Sequence, residues 1–194
     1  MLDAIKYNLS NLTNLAGRDA RQTFWFYVLF LFIAQYLIGL LISAPMMGGI
    51  MKDAFEGVSQ GLPQAEMQAR MMQSISGPLR TSMTASAAVS LIAALMLAAS
   101  FVRRLHDSNR PGWIAAIALV FVLGAQALTF ANMDAVLSAM MQIDPENPTA
   151  VLEAQRPLFA ASALSWVGYL IVIVFGVWPS TPGPNRYGDD PTRF

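Results

Sequence analysis

The sequence predicts an all-α membrane protein: a four-transmembrane-helix bundle with short amphipathic helices in two long outer loops. Three observations predict it. First, segments 23–44, 84–102, 113–131 and 160–178 contain no Asp, Glu, Lys, Arg or His, although the chain carries 12 acidic residues, 12 basic residues and one histidine. Second, each segment is long enough to cross, because a helix of about 20 residues rising about 1.5 Å per residue spans a hydrocarbon core of about 30 Å. Third, 55% of residues are hydrophobic and only 12% charged, against roughly 25% charged in soluble domains. The 194 residues are expected to form one integral membrane domain. Cysteine is absent, which excludes disulfides, thiol catalysis and Cys-ligated metal.

The first span, 23–44, follows a polar leader. Its apolar run is too long for a signal-peptide core, so Ile42-Ser43-Ala44 before Pro45 is read as part of a retained helix. Loop 45–83 is expected to be helical. Met46, Met47, Ile50, Met51, Ala54, Phe55 and Val58 follow helical spacing, and Pro63 suits the first turn of a second helix carrying Met67, Met71, Met72 and Ile75 on one face. Such pieces are expected to lie on the membrane or on each other. Thioethers suit Cu(I), but no His or Cys stands near these methionines. An adaptable apolar face is the preferred reading, and no metal or cofactor is expected.

Span two, 84–102, has small residues at every fourth position: Ser86, Ser90, Ala94 and Ala98. This row is expected to admit a neighbouring helix closely, placing span two centrally. Gln35 and Gln126 are expected to form interhelical hydrogen bonds. Span three, 113–131, is expected to extend outward through Met133, Val136, Leu137, Met140 and Met141 until Asp144-Pro145 breaks it. In outer loop 132–159, Pro148 then restarts a helix leading into span four, 160–178.

Basic residues set the predicted orientation. Lys6, Arg18, Arg21, Arg103, Arg104, Arg110, Arg186 and Arg193 fall on the side of the termini, in the leader, loop 103–112 and tail 179–194. Only Lys52, Arg70, Arg80 and Arg156 fall in the longer opposite loops. The positive-inside bias therefore places both termini and the loop 103–112 in the cytoplasm. Trp25, Trp113 and Trp178 then lie at the cytoplasmic interface as aromatic anchors.

Three polar segments converge on that side: Gly17 to Arg21, Arg103 to Trp113, and Pro182 to Pro191. The middle one reads as a tight turn, with Asn109 as the candidate cap of the next helix. The tail reads as a shaped loop in which Asp189 or Asp190 reaches Arg103 or Arg104. These segments also carry a resemblance. Gly17-Arg18-x-x-Arg21-x-x-Phe24-Trp25, Arg103-Arg104-Leu105-His106-Asp107 with Gly112-Trp113, and Gly183-x-Asn185-Arg186-Tyr187-Gly188-x-x-Pro191 resemble the motifs of the DUF805 family of small bacterial inner-membrane proteins. The resemblance implies membrane location and a helical bundle, with no established reaction. Ile114 stands where a second aromatic is common, Pro111 where a small hydroxyl residue is common, and the outer loops are longer than expected.

Three functions follow from the residues. The favoured one is a non-catalytic accessory or assembly subunit. It would bind another integral membrane protein or complex, or anionic membrane lipids, through arginines near the span ends. The binding candidates are Arg18, Arg21, Trp25, Arg103, Arg104, His106, Asp107, Gly112, Trp113, Asn185, Arg186 and Tyr187. They are expected to form one contiguous unit. The second is an interfacial enzyme on a lipid headgroup, with His106 as a general base tuned by Asp107 and with Arg103 and Arg104 on phosphate. Neighbours in a helix do not face each other, which weighs against it. The third is a transporter of a hydrophobic substrate, since ion paths normally place ionisable groups inside the membrane. No nucleic-acid partner is expected.

Overall fold

The computed structural model describes residues 1–141 and 148–191. Its helices, in order, are α1 (Leu2–Ser10), α2 (Arg21–Ser59), α3 (Gln64–Asp107), α4 (Trp113–Met141) and α5 (Pro148–Val177). Helices α2 to α5 are each long and apolar enough to cross a membrane. The protein is an all-α, multi-pass membrane protein. The leader and the described tail, through Pro191, lie at one end of the bundle, the terminal face. The expected break at Asp144-Pro145 and the residue Arg193 fall outside the described residues.

The helices pair as two hairpins. Helix α2 packs chiefly on α3, and α4 chiefly on α5, while α3 also touches α4 and α5. The α2–α3 turn is closed by Gly61 at φ +62°. The Leu62 N–H donates to the Gly57 carbonyl at 3.0 Å, and the Gly61 N–H to Val58 at 3.2 Å. This pairing of bonds satisfies the last carbonyls of α2 and needs a left-handed residue after the helix. Beside it, a Cβ on Gly57 would meet the Met67 side chain at 2.9 Å, so the helices approach closely there.

The segments expected as separate short helices are instead continuations of the crossing helices. Helix α2 has 39 residues and runs through Pro45, a length of about 58 Å. Helix α3 has 44 residues and runs through Pro78. Each proline removes one backbone donor, but the helix resumes on both sides, because the facing helix of the hairpin supports it. The hairpins thus project well beyond a hydrocarbon core of about 30 Å. A sequence window sees Pro45 as an end; the paired helix makes it an interior position.

The small-residue row of α3 lies along a cavity. Ser90, Ala94 and Ala98 line an apolar cavity between the hairpins, and Ser86 lines its continuation. Neither Gln35 nor Gln126 forms an interhelical hydrogen bond among the described residues, and Gln35 faces the same cavity. The hairpins close on each other at the terminal face, where Phe24, Phe101, Leu105, Ala115 and Ala118 form a buried core.

Gly176 of α5 marks that closure. A Cβ there would sit 2.8 Å from Phe24 Cε1 and 2.9 Å from Trp25 Cζ2. Gly176→Val should therefore cost about 1–3 kcal/mol by overpacking. Gly48→Ala, where nothing lies within 4 Å, should leave stability unchanged or slightly raised. Thermal unfolding of both variants in the same detergent checks this.

Candidate functional site: the polar cluster at the terminal face

The end of α3 supplies the centre of the cluster. Ser108 follows the helix, and Asn109 takes φ +55°. The Asn109 N–H donates to the His106 carbonyl at 3.0 Å, and the Arg110 N–H to Leu105 at 2.8 Å. Asn109 thus terminates α3 and does not cap α4, the role expected from its place in the sequence. Asparagine tolerates the left-handed conformation such a terminus needs. The turn is tight: a Cβ on Gly112 would meet Val102 Cγ1 at 2.9 Å and His106 Nε2 at 3.1 Å.

Asp107, fully buried, sits between two guanidinium groups. Arg18 Nε and Nη2 donate to its Oδ1 at 3.2 and 3.0 Å. Arg104 Nη1 donates to Oδ2 at 2.6 Å, and Ser180 Oγ to Oδ2 at 2.5 Å. The three arginine bonds, with both partners charged, are of the strong class.

Each guanidinium has a second task. Arg104 Nε donates to the Gly176 carbonyl at 3.0 Å, and its Nη2 donates to the Trp178 carbonyl. These carbonyls belong to the unpaired end of α5, so a cation there satisfies acceptors and complements the helix dipole. Trp25 Nε1 shares the Gly176 carbonyl at 3.1 Å. Trp25 is therefore a packed, half-buried side chain tied to α5. Trp113 is 63% exposed. Arg18 Nη2 donates to the Thr181 carbonyl at 2.7 Å, and Nη1 donates to Gly183 at 2.8 Å and Gly188 at 3.3 Å. The tail folds around this one side chain. Asp190 also reaches Arg18, at 3.5 Å, and not Arg103 or Arg104 as expected, because those two are already enclosed.

Arg103 serves the N-terminal leader. Its Nε donates to Asp19 Oδ1 at 2.9 Å, its Nη2 to Asn8 Oδ1 at 2.7 Å, and its Nη1 to the Asn11 and Asn14 carbonyls. Ser100 Oγ donates to the other Asp19 oxygen at 2.9 Å. The Arg103 guanidinium also lies 5.5 Å from the centre of the Tyr7 ring. Burial pushes the Asp19 carboxyl pKa up, while Arg103 and the Ser100 hydroxyl oppose that shift. No buried side-chain nitrogen or oxygen lacks a partner among the described residues.

The tail is held by its own turn. Asn185 and Gly188 exchange backbone hydrogen bonds at 3.0 Å, with Gly188 at φ +134°. Asn185 Nδ2 donates to the His106 carbonyl at 3.0 Å, and the Thr181 N–H to the Asp107 carbonyl at 2.9 Å. Tyr187 stacks on His106 with ring centres 3.8 Å apart. His106 Nδ1 lies 3.3 Å from the Gly17 carbonyl, so a bond there needs the proton on Nδ1. Burial lowers the His106 pKa, with Gly17 opposing and Arg186 adding to the shift. Arg186 Nη2 donates to the Asn109 carbonyl at 3.2 Å.

Arg103, Arg104, His106, Asp107, Asn185, Arg186 and Tyr187 are thus one contiguous unit, with Arg18 at its centre. Arg21 and Arg110 remain exposed at its edge, Arg110 over the Trp178 ring at 5.0 Å. Sequence reasoning missed α1, Asn8, Asp19 and Ser180. The one available signal was Asp19, an acid between two arginines in a segment that must fold against a basic loop.

Asp107→Asn should leave two buried guanidiniums short of a counter-charge and cost about 3–5 kcal/mol. Chemical unfolding in mixed micelles checks this, with exposed Asp189→Asn as the neutral comparison.

The family model for "Protein of unknown function (DUF805)" matches residues 12–189. No curated protein and no solved structure matches the chain. The matched region takes in the leader from residue 12, the four crossing helices, the polar cluster apart from Tyr7, Asn8 and Asp190, and the tail to residue 189, and the chain belongs to the DUF805 family.

Proposed function

We propose that the protein is a non-catalytic accessory or assembly subunit of the bacterial inner membrane, with both termini cytoplasmic, that binds another integral membrane protein. The observation that carries this reading is an unpaired apolar face on the projecting part of α2. Met47, Met51, Phe55 and Val58 are 56%, 70%, 77% and 72% exposed. Their spacing puts them along one side of the helix, past the end of the crossing segment. A contiguous apolar face outside the hydrocarbon core marks an interaction surface. The orientation rests on the excess of Lys and Arg around the termini.

The motif arginines take a different part than a lipid-binding patch would need. Arg18, Arg103 and Arg104 are enclosed, which leaves Arg21, Arg110 and Arg186 to meet anionic headgroups. Each is worth about 1 kcal/mol near such a surface. Lipid contact is therefore the weaker, supporting interaction. His106 and Asp107 are each committed to other partners, His106 to Gly17 and Tyr187, Asp107 to two arginines and Ser180. That favours the non-catalytic reading over a lipid-directed enzyme.

Extraction in a mild detergent followed by mass spectrometry should recover a stoichiometric integral membrane partner. Met51→Glu with Phe55→Glu should lose it while the melting temperature stays unchanged. A lone monomer, or a partner indifferent to both substitutions, would overturn the proposal.

A further inference from the structure

The cavity between the hairpins has a volume of about 500 Å³, within the roughly 300–1,000 Å³ of small-molecule sites. A second cavity of about 260 Å³ continues it, and Phe32, Gln35, Ser90 and Tyr169 line both. From Trp25 to Ile42 the groove follows α2 for about 26 Å. No Lys, Arg, His, Asp or Glu lines either part.

Three polar side chains interrupt this apolar wall. The Gln35 amide, the Ser90 hydroxyl and the Tyr169 hydroxyl make no hydrogen bond among the described residues. Gln35, Ser90 and Tyr169 lie within about 5 Å of the midpoints of segments 23–44, 84–102 and 160–178, at about 1.5 Å per residue. They come from three helices, and each lines both cavities. Unsatisfied donors at the centre of a bilayer are costly, because neither water nor lipid tails can pair them. A ligand that supplies acceptors at that depth removes the cost.

The ligand's chemistry follows. A phospholipid keeps its ester and headgroup oxygens at the interface, too far away. A fatty acid carboxylate would find no cation in the groove. What fits is a neutral head bearing carbonyl or hydroxyl oxygens, flat enough for the aromatic walls of Phe32, Trp166 and Tyr169, on a long hydrocarbon tail. We propose that this groove binds an isoprenoid quinone. The head lies between Gln35, Ser90 and Tyr169, and the tail lies along Leu97, Phe101 and Ala118. Ala94 and Ala98 are small because the ligand occupies the space beside them.

The test uses the full chain in nanodiscs loaded with a long-tailed ubiquinone. Particles are affinity-purified and the quinone per chain is measured after solvent extraction, against empty nanodiscs. About one quinone per chain above that background is expected. Ala94→Phe, which fills the groove, should lower the excess at least tenfold. Gln35→Leu removes a donor without adding bulk or an unpaired group, so it should fold and still lower retention several-fold. Quinone at the empty-nanodisc level would overturn the proposal. Retention unchanged in a folded Gln35→Leu protein, or a phospholipid retained in the quinone's place, would do the same.

Discussion

A single carboxylate held between two buried guanidiniums organises this molecule. Asp107 is the last residue of α3, and Arg104 lies one turn before it. Arg18 arrives from the leader and brings the tail with it through three tail carbonyls. A buried charge pair is a weak source of net stability, since removing both ions from water is costly. Its effect here is specificity. Each partner would be left as an uncompensated ion if the leader, loop or tail moved away, so only one arrangement of the three segments satisfies them all. Asp19 with Arg103 repeats the device one turn earlier and fixes α1 in the same way.

Fastening the bundle at one end has a structural consequence at the other. At the terminal face the hairpins are joined by Arg104, which donates to the Gly176 and Trp178 carbonyls, and by Phe24 and Trp25 packing on Gly176. Further along, the groove opens among α2, α3, α4 and α5. Rigid closure at one end and an open groove along the crossing segments are therefore parts of one construction. The unpaired apolar side of α2 lies beyond that groove, on the part of the hairpin furthest from the ion pairs.

Much of the fold was legible because hydrocarbon is an unforgiving solvent. A charge-free run of about 20 residues matches the thickness of a bilayer and little else, so the four crossings could be read from charge placement alone. The contiguity of Arg103 to Asp107 with Asn185 to Tyr187 was legible too, since motifs at the ends of different spans must share one face of the membrane. What the residues did not disclose was partner choice. Arg103 and Arg104 are adjacent and alike in sequence, yet a rotation of about 100° per helical residue sends one to the leader and the other to the end of α5. The row from Ser86 to Ala98 reads as a packing stripe in one dimension. Whether such a row meets a helix or a cavity depends on how distant segments splay. Pro45 misled for a related reason, because the support that lets the helix continue comes from α3.

Arg18 and Asp107 together hold the tail in one place against α3, and hydrogen exchange in nanodiscs, read by mass spectrometry over residues 179–190, reports on that hold. Slow exchange is expected at Thr181, Asn185 and Gly188, whose amides are bonded. Arg18→Met should abolish that protection while the crossing segment of α3 stays protected. A wild-type tail exchanging at the rate of free chain, or protection that survives Arg18→Met, would contradict it.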